Sequence, residues 1–398
     1  MVADARWKSL LVNAIMRIAR LADRALRGRR EAPAEPTHFL FLHYNPSLGT
    51  ALNSTPLFEA FKTKLPDCVI AIATYGLAYD VFKNSRFIDY VWETPDVKIN
   101  VFRTASVIRS AMKKCGFTPE YVCTDSANQR SLIVALGHLV SGCLKAGFSV
   151  LPGLLDKVVY HDDRLGLIEN NLNLLSLFGH KAPRFEPRLF FNTPDLEKAD
   201  ALLTRDGTHT RPTAVLVVPV SGTQPTAWFE ARFAALADHL YQAFGFQIVF
   251  VGSSRDESTI SQVRDAMRFP SVSLAGKTEI PVLAAVLALS DLVVSVDTGV
   301  MHVARAVQVP MVLIASAWEE PHVWLPLRQP QVAILRRSDI ACRHCHKASC
   351  ETRECMDEIG VRDVLAVATE IVRTYPPSAS ARSQRVSRSL SREAIPVG

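Results

Sequence analysis

The segment 292–302 combines residue types that can bind a phosphate at the end of a strand. Its first five residues form an apolar run typical of a buried parallel strand, and Asp297 follows them. A helix then opens through Thr298 and Gly299. The N–H groups of a first helical turn attract a phosphate, and a glycine there lets a ligand approach the backbone closely. His302 follows one turn later, where it could also reach a diphosphate. The alternative is an ordinary helix start capped by Asp297 or Thr298.

The elements around this segment alternate between strands and helices. In the second half of the chain, apolar runs predict strands at Ala214–Pro219, Gln247–Gly252, Ser271–Ala275, Leu292–Val296 and Met311–Ala315. Helical spacing predicts helices at Phe229–Phe244, Glu257–Met267, Pro281–Leu289 and Val300–Val307. In the first half, strands are predicted at Phe39–Tyr44, Val69–Thr74, Tyr90–Trp92 and Tyr121–Thr124, with helices that begin near Thr55-Pro56 and at Asn170. This alternation predicts an α/β protein with two Rossmann-like domains that face a cleft.

Length and composition set the number of domains. The chain has 398 residues, of which 48% are hydrophobic, so it is globular and too long for one ordinary core. We predict four segments along the chain. They are a basic amphipathic helix and linker (1–36), an N-terminal Rossmann-like domain (37–190), a C-terminal Rossmann-like domain (191–374) and a disordered Ser/Arg/Pro-rich tail (375–398).

The net charge of +6 is concentrated at the two ends of the chain. The balanced middle argues against a nucleic-acid-binding surface. The stretch Trp7–Leu26 places apolar residues on one helical face and arginines on the other. This pattern predicts either a helix docked on the protein or an in-plane anchor on an anionic membrane. Since no convincing secretory signal or spanning apolar run is present, we expect a cytoplasmic protein.

The phosphate-binding segment also carries a family resemblance. The run Asp297-Thr298-Gly299-Val300-Met301-His302-Val303-Ala304, followed by Val307-Gln308-Val309-Pro310, resembles the signature of the family 9 glycosyltransferases, the ADP-heptose:lipopolysaccharide heptosyltransferases. Further matching motifs are Pro219-x-Ser221 with Trp228, Gly252 with Asp256-Glu257, Ala275-Gly276-Lys277-Thr278, Trp324-x-Pro326, Leu48-Gly49 with Thr55-Pro56-Leu57, Asp125 with Arg130, and Glu169-Asn170-Asn171-Leu172. The resemblance covers residues from about 38 to 373 and implies the GT-B fold.

The resemblance implies a donor site for ADP-heptose in the C-terminal domain. Asp297, Thr298, Gly299 and His302 would line the diphosphate and sugar, Asp256 or Glu257 would bond the ribose, and Lys277 would edge the pocket. Ser221, Gly222, Val300 and Met301 complete the implied donor-binding set. The implied reaction is an inverting transfer that needs no metal or cofactor. Its acceptor would be a lipid-linked glycan, such as the lipopolysaccharide core, at the inner face of the bacterial inner membrane.

Two positions depart from the family pattern. The family has Gly-Asp in its first turn, and that aspartate is the general base, whereas this chain has Gly49-Thr50. An unassisted Thr50 hydroxyl cannot act as a base near neutral pH, so His43 and Asp125 become the candidates. A packed strand histidine is the alternative for His43. The second departure is the missing lysine before Trp228. Both departures leave two rival functions open: a catalytically weak sugar-nucleotide-binding protein, or another GT-B enzyme with a different donor.

Four cysteines cluster late in the chain. Their spacing, Cys342-x2-Cys345-x4-Cys350-x4-Cys355, with His344 and His346 between them, is compatible with a tetrahedral zinc site. We expect a structural role for this cluster, with or without zinc, and no catalytic metal.

Overall fold

The computed structural model describes residues 32–204, 211–218, 226–327, 329–346 and 349–391. The predicted N-terminal amphipathic helix therefore lies outside the described residues. In the described part of the chain, no helix is both long enough and apolar enough to cross a bilayer. The contacts divide the chain into two units between Glu186 and Pro187, slightly before the predicted domain boundary after residue 190.

The first unit contains six parallel strands in the order β3-β2-β1-β4-β5-β6. The strands are β1 His38–Leu42, β2 Val69–Thr74, β3 Tyr90–Glu93, β4 Tyr121–Thr124, β5 Leu144–Gly147 and β6 Lys157–Val158. The helices are α1 Leu48–Lys64, α2 Leu77–Phe82, α3 Val101–Cys115, α4 Ser131–Val140 and α5 Leu167–Leu172, and 3-10 turns lie at Pro152–Leu154 and Asn173–Phe178. The central strands β1, β2 and β4 are buried almost throughout, which explains their continuous apolar runs.

The second unit repeats this plan with the strand order β12-β11-β10-β7-β8-β9, again all parallel. Its strands are β7 Thr213–Val217, β8 Gln247–Val251, β9 Ser271–Ser273, β10 Leu292–Val296, β11 Met311–Ala315 and β12 Val332–Arg336. Its helices are α6 Thr193–Leu203, α7 Glu230–Phe244, α8 Glu257–Asp265, α9 Ile280–Leu289, α10 Gly299–Val307, α11 Pro321–Trp324, α12 Glu354–Asp357, α13 Val361–Thr374 and α14 Ala379–Ser389, with a 3-10 turn at Ser254–Asp256. The predicted α/β class with two Rossmann-like sheets is confirmed.

Helix α1 begins earlier than the sequence predicts. It starts at Leu48, so Pro56 lies in the helix interior instead of at the first position. A proline there has no N–H for the carbonyl four residues earlier, which belongs to Leu52. The Thr55 hydroxyl donates to that carbonyl at 2.8 Å and supplies the missing bond. The predicted start at Thr55-Pro56 is therefore wrong, because a side chain repairs the helix locally.

The predicted disordered tail is also wrong as far as residue 391, because α14 packs onto the second unit. The Arg382 guanidinium donates to both carboxylate oxygens of Asp291 at 2.8 Å, and the Arg385 Nε donates to the Ala288 carbonyl at 3.0 Å. At the end of α14, the backbone of Phe191 bonds to Ser389 and Ser391. Two arginines of the predicted tail thus bond the buried residues Asp291 and Ala288. Residues 392–398 lie outside the described part of the chain.

The Thr55 bond leads to a stability prediction. Thr55→Val keeps the side-chain shape but leaves the buried Leu52 carbonyl without this donor, so we expect the free energy of unfolding to fall by about 1–3 kcal/mol. Chemical denaturation measures this change. Thr63→Val is the matched control, because the exposed Thr63 hydroxyl bonds the Glu59 carbonyl in a proline-free turn of the same helix. Equal stability losses in the two variants would contradict the account of Pro56.

Candidate functional site

The strand order of each sheet reverses between two neighbouring strands. In the first unit the reversal lies between β1 and β4, and in the second between β7 and β10. Ligands of open parallel sheets bind outside the carboxyl ends of the strands at such a switch point. His43 follows β1 and Asp125 follows β4, whereas Asp297 and Thr298 follow β10. The candidate residues therefore lie at the switch points of the two sheets.

In the second unit, the turn after β10 leads directly into α10. Thr298 is the N-cap residue of α10, but its side chain makes no capping hydrogen bond. The Thr298 Oγ1 and His302 Nδ1 atoms are both buried and have no hydrogen-bond partner among the described residues. The simple capping role considered for Thr298 is therefore not what the structure shows. A ligand with hydrogen-bonding groups at this helix start would satisfy both atoms.

Burial also shifts the protonation of the two titratable side chains in this turn. Burial and the nearby Glu319 carboxylate raise the pKa of Asp297 to about 6. Burial and the Arg305 charge lower the pKa of His302 to about 3, so this imidazole is neutral at physiological pH. A neutral histidine can donate one hydrogen bond and accept another. His302 thus acts as a polar contact, and the positive end of α10 supplies the attraction for an anion.

The loop after β11 forms one wall of this turn. Its helix α11 ends at Trp324, whose ring lies 5.8 Å from the His302 ring in an edge-to-face arrangement. Arg336 of β12 donates to the carbonyls of Ser316 and Glu319 in the same loop. Sequence reasoning named Trp324 only as part of a motif and missed Glu319 altogether.

The other predicted donor residues bond within their own loops. Asp256 is 3% exposed, and its Oδ2 accepts 2.7 Å hydrogen bonds from the backbone N–H and the hydroxyl of Ser253. Glu257 accepts from the Ser273 hydroxyl at 2.6 Å, and the exposed Lys277 donates to the Ser273 carbonyl at 2.9 Å. Asp256 thus stabilises the turn after β8, and ribose binding by Asp256 or Glu257 stays a prediction. Ser221 and Gly222 lie outside the described residues.

The remaining predicted donor residues continue α10 from its first turn. Gly299 and Val300 are partly exposed, whereas Met301 is fully buried and belongs to the packed side of the helix. We therefore assign Met301 to the core of the second unit. Positions 297–300 are partly exposed, so a ligand can reach the start of the helix.

In the first unit, the structure brings His43 and Asp125 into direct contact. The His43 Nδ1 lies 2.9 Å from Asp125 Oδ2. The same carboxylate accepts hydrogen bonds from the Ser54 hydroxyl at 3.1 Å, from the Asn128 amide at 2.7 Å and from the Ala127 N–H at 3.0 Å. An ionised carboxylate accepts about four such bonds, so the acceptor capacity of Asp125 is used within the protein.

This network favours the ionised form of Asp125. Burial alone would raise the pKa of Asp125, but the charge and hydrogen bond of His43, with those of Asn128 and Ser54, lower it overall. Because the ionised carboxylate can only accept, His43 donates to it through Nδ1, which also lies 3.1 Å from the Asn128 amide nitrogen. The Nε2 atom is buried and has no partner in the described part of the chain. The contact with Asp125 therefore fixes the orientation of the ring and leaves Nε2 as its unpaired nitrogen.

Several residues that hold this pair were not identified as functional from the sequence. Asn171 accepts from the backbone and hydroxyl of Ser126 at 3.0 and 2.6 Å, and its amide donates to the Ser54 hydroxyl at 3.3 Å. Asn171 appeared only within the motif Glu169-Asn170-Asn171-Leu172. Gly147, with a φ of +132°, ends β5 where a Cβ would lie 2.2 Å from the Thr124 carbonyl, so only glycine fits beside the strand that leads to Asp125.

Thr50 lies in the first turn of α1 and is 3% exposed. Its carbonyl accepts from the Ser54 hydroxyl at 3.1 Å, one turn before Ser54 reaches Asp125. Thr50 therefore contributes its backbone carbonyl, and not its side chain, to the hydrogen-bond network around Asp125.

The four late cysteines are free thiols in the structure. Among the described residues, which omit 347 and 348 within this segment, no group of three or more His, Cys, Asp or Glu side chains is arranged to hold a metal ion. Cys355 is buried in the core of the second unit, and this burial raises the pKa of its thiol. The backbone N–H groups of His344 and His346 donate to Ala317 and Trp318 in the loop after β11. The cysteine segment thus supports the wall of the Asp297 turn.

Comparison with known proteins gives consistent matches. The model of glycosyltransferase family 9 (heptosyltransferase) matches residues 135–355. A lipopolysaccharide heptosyltransferase 3 of Escherichia coli is 32% identical over 295 residues, which cover 70% of this chain and 83% of that protein.

Two solved structures share the fold. The family 9 glycosyl transferase of Veillonella parvula DSM 2008 has a TM-score of 0.75 at 17% identity, covering 86% of this chain and 99% of that one. The E. coli heptosyltransferase WaaC, solved with ADP-2-deoxy-2-fluoro heptose, has a TM-score of 0.62 at 15% identity, covering 84% and 99%.

The raised pKa of Asp297 predicts a pH-dependent cost in stability. With a folded pKa of about 6 against an ordinary 3.8, the carboxylate destabilises the folded state above pH 6, and the penalty fades as the pH falls below 6. We therefore expect Asp297→Asn to stabilise the protein by about 2 kcal/mol more at pH 8 than at pH 4. Denaturant unfolding at both values measures this difference. Asp265→Asn, at an exposed position, is the control. An equal stability change for Asp297→Asn at pH 8 and at pH 4 would refute the raised pKa of Asp297.

Proposed function

Because the chain belongs to glycosyltransferase family 9, we propose that this glycosyltransferase moves a heptose from ADP-heptose to a lipid-linked glycan, the lipopolysaccharide core. The observation that carries the proposal is the turn after β10. There, the start of α10 meets two buried polar atoms without described partners, Thr298 Oγ1 and His302 Nδ1. The similarity to a lipopolysaccharide heptosyltransferase 3 supports the acceptor class. The WaaC structure, solved with an ADP-heptose analogue, supports the donor class.

The proposed donor contacts divide between the diphosphate and the sugar. The first N–H groups of α10, with the Thr298 hydroxyl, bond the diphosphate, since a helix start carries partial positive charge. His302 donates a hydrogen bond to the same group as a neutral imidazole. Asp297 accepts from sugar hydroxyls. As the bond between the sugar and the diphosphate breaks, negative charge develops on the departing nucleotide, and these fixed donors stabilise it.

The acceptor hydroxyl needs a base, and we assign this role to His43. Its Nε2 is the nitrogen with an available lone pair, because Nδ1 bonds Asp125. Asp125 is the positioning residue: its lowered pKa and its four hydrogen bonds make it a poor proton acceptor. His43 Nε2 takes the hydroxyl proton while the oxygen attacks the sugar carbon from the face opposite the leaving diphosphate. The carboxylate stabilises the resulting imidazolium, as in other Asp–His pairs.

The proposed acceptor also sets the location of the enzyme. A lipid-linked glycan is embedded in a bilayer, so we propose that the enzyme is cytoplasmic and binds peripherally to the inner face of the bacterial inner membrane. Support comes from the basic, amphipathic sequence of residues 7–26, which lie outside the described part of the chain.

A second candidate function has one specific observation in its favour. Thr50 replaces the family's aspartate, and His43 is only 1% exposed. A protein without a functional base in its acceptor site would bind the sugar nucleotide and assist glycan assembly, but it would transfer the sugar slowly. The two functions share the donor site and differ in the rate of transfer.

The donor site predicts the effect of two substitutions. Asp297→Ala and His302→Ala should each weaken ADP-heptose binding at least tenfold, about 1.4 kcal/mol, because each removes a ligand contact. Titration calorimetry measures the affinity. The exposed Asp265→Ala and His239→Ala are matched controls in the same unit and should bind like wild type. Wild-type affinity in both site variants would remove the basis for the donor site.

The base assignment predicts separate effects on rate and binding. His43→Gln or Asp125→Asn should lower the transfer rate by about a hundredfold to ten-thousandfold. ADP-heptose affinity should stay unchanged, since the pair lies in the other unit. Radiolabelled sugar transfer and calorimetry give the two readouts, and retained donor affinity excludes misfolding of the donor unit.

Thr50→Asp distinguishes the two candidate functions. If the wild-type protein transfers heptose and the variants His43→Gln and Asp125→Asn transfer it at the same rate, His43 is not the base. If wild type transfers nothing and Thr50→Asp restores transfer, the chain is a sugar-nucleotide-binding protein whose first unit has lost its base.

A further inference from the structure

The exposed apolar side chains of the first unit share one edge. The large hydrophobic residues exposed in the described part of the chain are Leu77, Ile99, Phe102, Val150, Tyr160 and Leu327. All but Leu327 belong to the first unit and follow the carboxyl ends of β2, β3, β5 and β6. This is the edge at which His43 and Asp125 lie. Single exposed apolar residues are ordinary on a protein surface, but their restriction to one edge calls for an explanation.

Two of these exposed side chains flank the start of α3. Ile99 is 81% exposed and Phe102 is 69% exposed, on either side of Asn100. Asn100 caps the helix, because its side chain accepts from the Arg103 N–H at 2.9 Å. This cap and the buried Thr104, Ala105 and Ile108 fix the helix to the unit. Phe102 is therefore held on α3, Ile99 lies just before its cap, and both side chains are exposed.

Basic residues continue from these apolar side chains along α3. Five exposed cations lie between residues 98 and 114: Lys98, Arg103, Arg109, Lys113 and Lys114. The sequence has no Asp or Glu from 97 to 119. At 100° per residue, Phe102, Arg109 and Lys113 lie on one stripe of the helix. None of the ion pairs found among the described residues involves these five cations.

We propose that Ile99, Phe102, Lys98 and the four cations of α3 form a docking face for a lipid bilayer with anionic headgroups. The apolar pair enters the boundary between headgroups and acyl chains, and the cations bind the headgroup phosphates. The absence of acidic side chains on the helix fits an anionic surface better than an ordinary solvated face, on which both signs mix. The proposal rests on the proposed function, because a lipid-linked acceptor has to reach His43 at the same edge.

The docking face is independent of the N-terminal helix predicted from the sequence. Residues 7–26 supply a second basic and apolar segment, and stable membrane binding commonly needs two such signals. The experiment must therefore detect the α3 face in the full chain, with the N-terminal segment present.

Vesicle co-sedimentation at low salt tests the face. The vesicles contain phosphatidylcholine with phosphatidylglycerol, or phosphatidylcholine alone. Ile99→Ser/Phe102→Ser and Arg103→Glu/Lys113→Glu should each bind the anionic vesicles at least about tenfold more weakly than wild type. Wild-type binding should weaken with added salt, since salt screens the headgroup charge. All substituted side chains are exposed, and unfolding curves that match wild type confirm the fold.

Matched controls lie in the second unit. Leu327→Ser removes an exposed apolar residue, and Lys198→Glu/Arg362→Glu reverses two exposed charges. Both should bind vesicles like wild type. A direct readout of insertion uses Phe102→Trp, whose added fluorescence should be quenched by brominated acyl chains, whereas that of Leu327→Trp should not.

ADP-heptose affinity, measured on the same proteins, separates this inference from the proposed function. If the α3 variants pellet like wild type and Phe102→Trp is not quenched, or if wild type ignores anionic vesicles, the docking face is refuted even when ADP-heptose binds. If the α3 variants lose vesicle binding but wild type fails to bind ADP-heptose, the face stands and the proposed donor is wrong.

Discussion

The strand order of each sheet reverses between two central strands that are buried on both faces. Helices cover those faces, so ligands can reach the central strands only through the turns at their carboxyl ends. At the reversal, the connection after one strand runs to one face of the sheet and the connection after the neighbouring strand runs to the other face. The two turns therefore diverge and leave a crevice between them. His43 and Asp125 occupy this position in the first unit, and Asp297 with Thr298 occupies it in the second. One topological constraint therefore places both groups of candidate residues.

Each of these places carries buried polar atoms that the described residues leave without a partner: His43 Nε2, Thr298 Oγ1 and His302 Nδ1. An unsatisfied buried polar atom costs about 1–3 kcal/mol, so stability alone would favour apolar residues there. The raised pKa of Asp297 adds a cost of the same kind at neutral pH. Such costs are typical of sites that are completed by a ligand. The same turn is thus expected to weaken the folded state and to bind the donor.

The sequence predicted every strand of the second sheet except β12, and every strand of the first except β5 and β6. Strands β7, β8, β10 and β11 are long apolar runs, and their predicted bounds differ from the observed ones by at most two residues. Strands β5 and β6 were missed because they are short and contain Lys145 and Lys157, which break the apolar pattern. The start of α1 and the helix α14 were mispredicted because tertiary or side-chain bonds, from Thr55 and Arg382, overrode the local signals of proline and of a polar, arginine-rich tail.

The site residues divide in the same way. The turn 297–302 could be found from the sequence, because strand, turn and helix start are contiguous there. The contact between His43 and Asp125 joins residues 82 positions apart, and only the sheet order brings them together. The division of roles within the pair depends on Ser54, Asn128 and Asn171, whose bonds to the pair have no local signature. The hydrogen bond from the Ser253 N–H to Asp256, which stabilises the turn after β8, likewise could not be predicted from the motif.

The central claim is that the turn after β10 holds the diphosphate of the donor. A crystal structure of the protein with ADP-heptose tests it directly. We expect the diphosphate oxygens within hydrogen-bond distance of the Thr298 hydroxyl and the first N–H groups of α10, with His302 Nδ1 bonded to the ligand. A diphosphate bound away from this turn, with Thr298 Oγ1 and His302 Nδ1 still without a partner, would contradict the account.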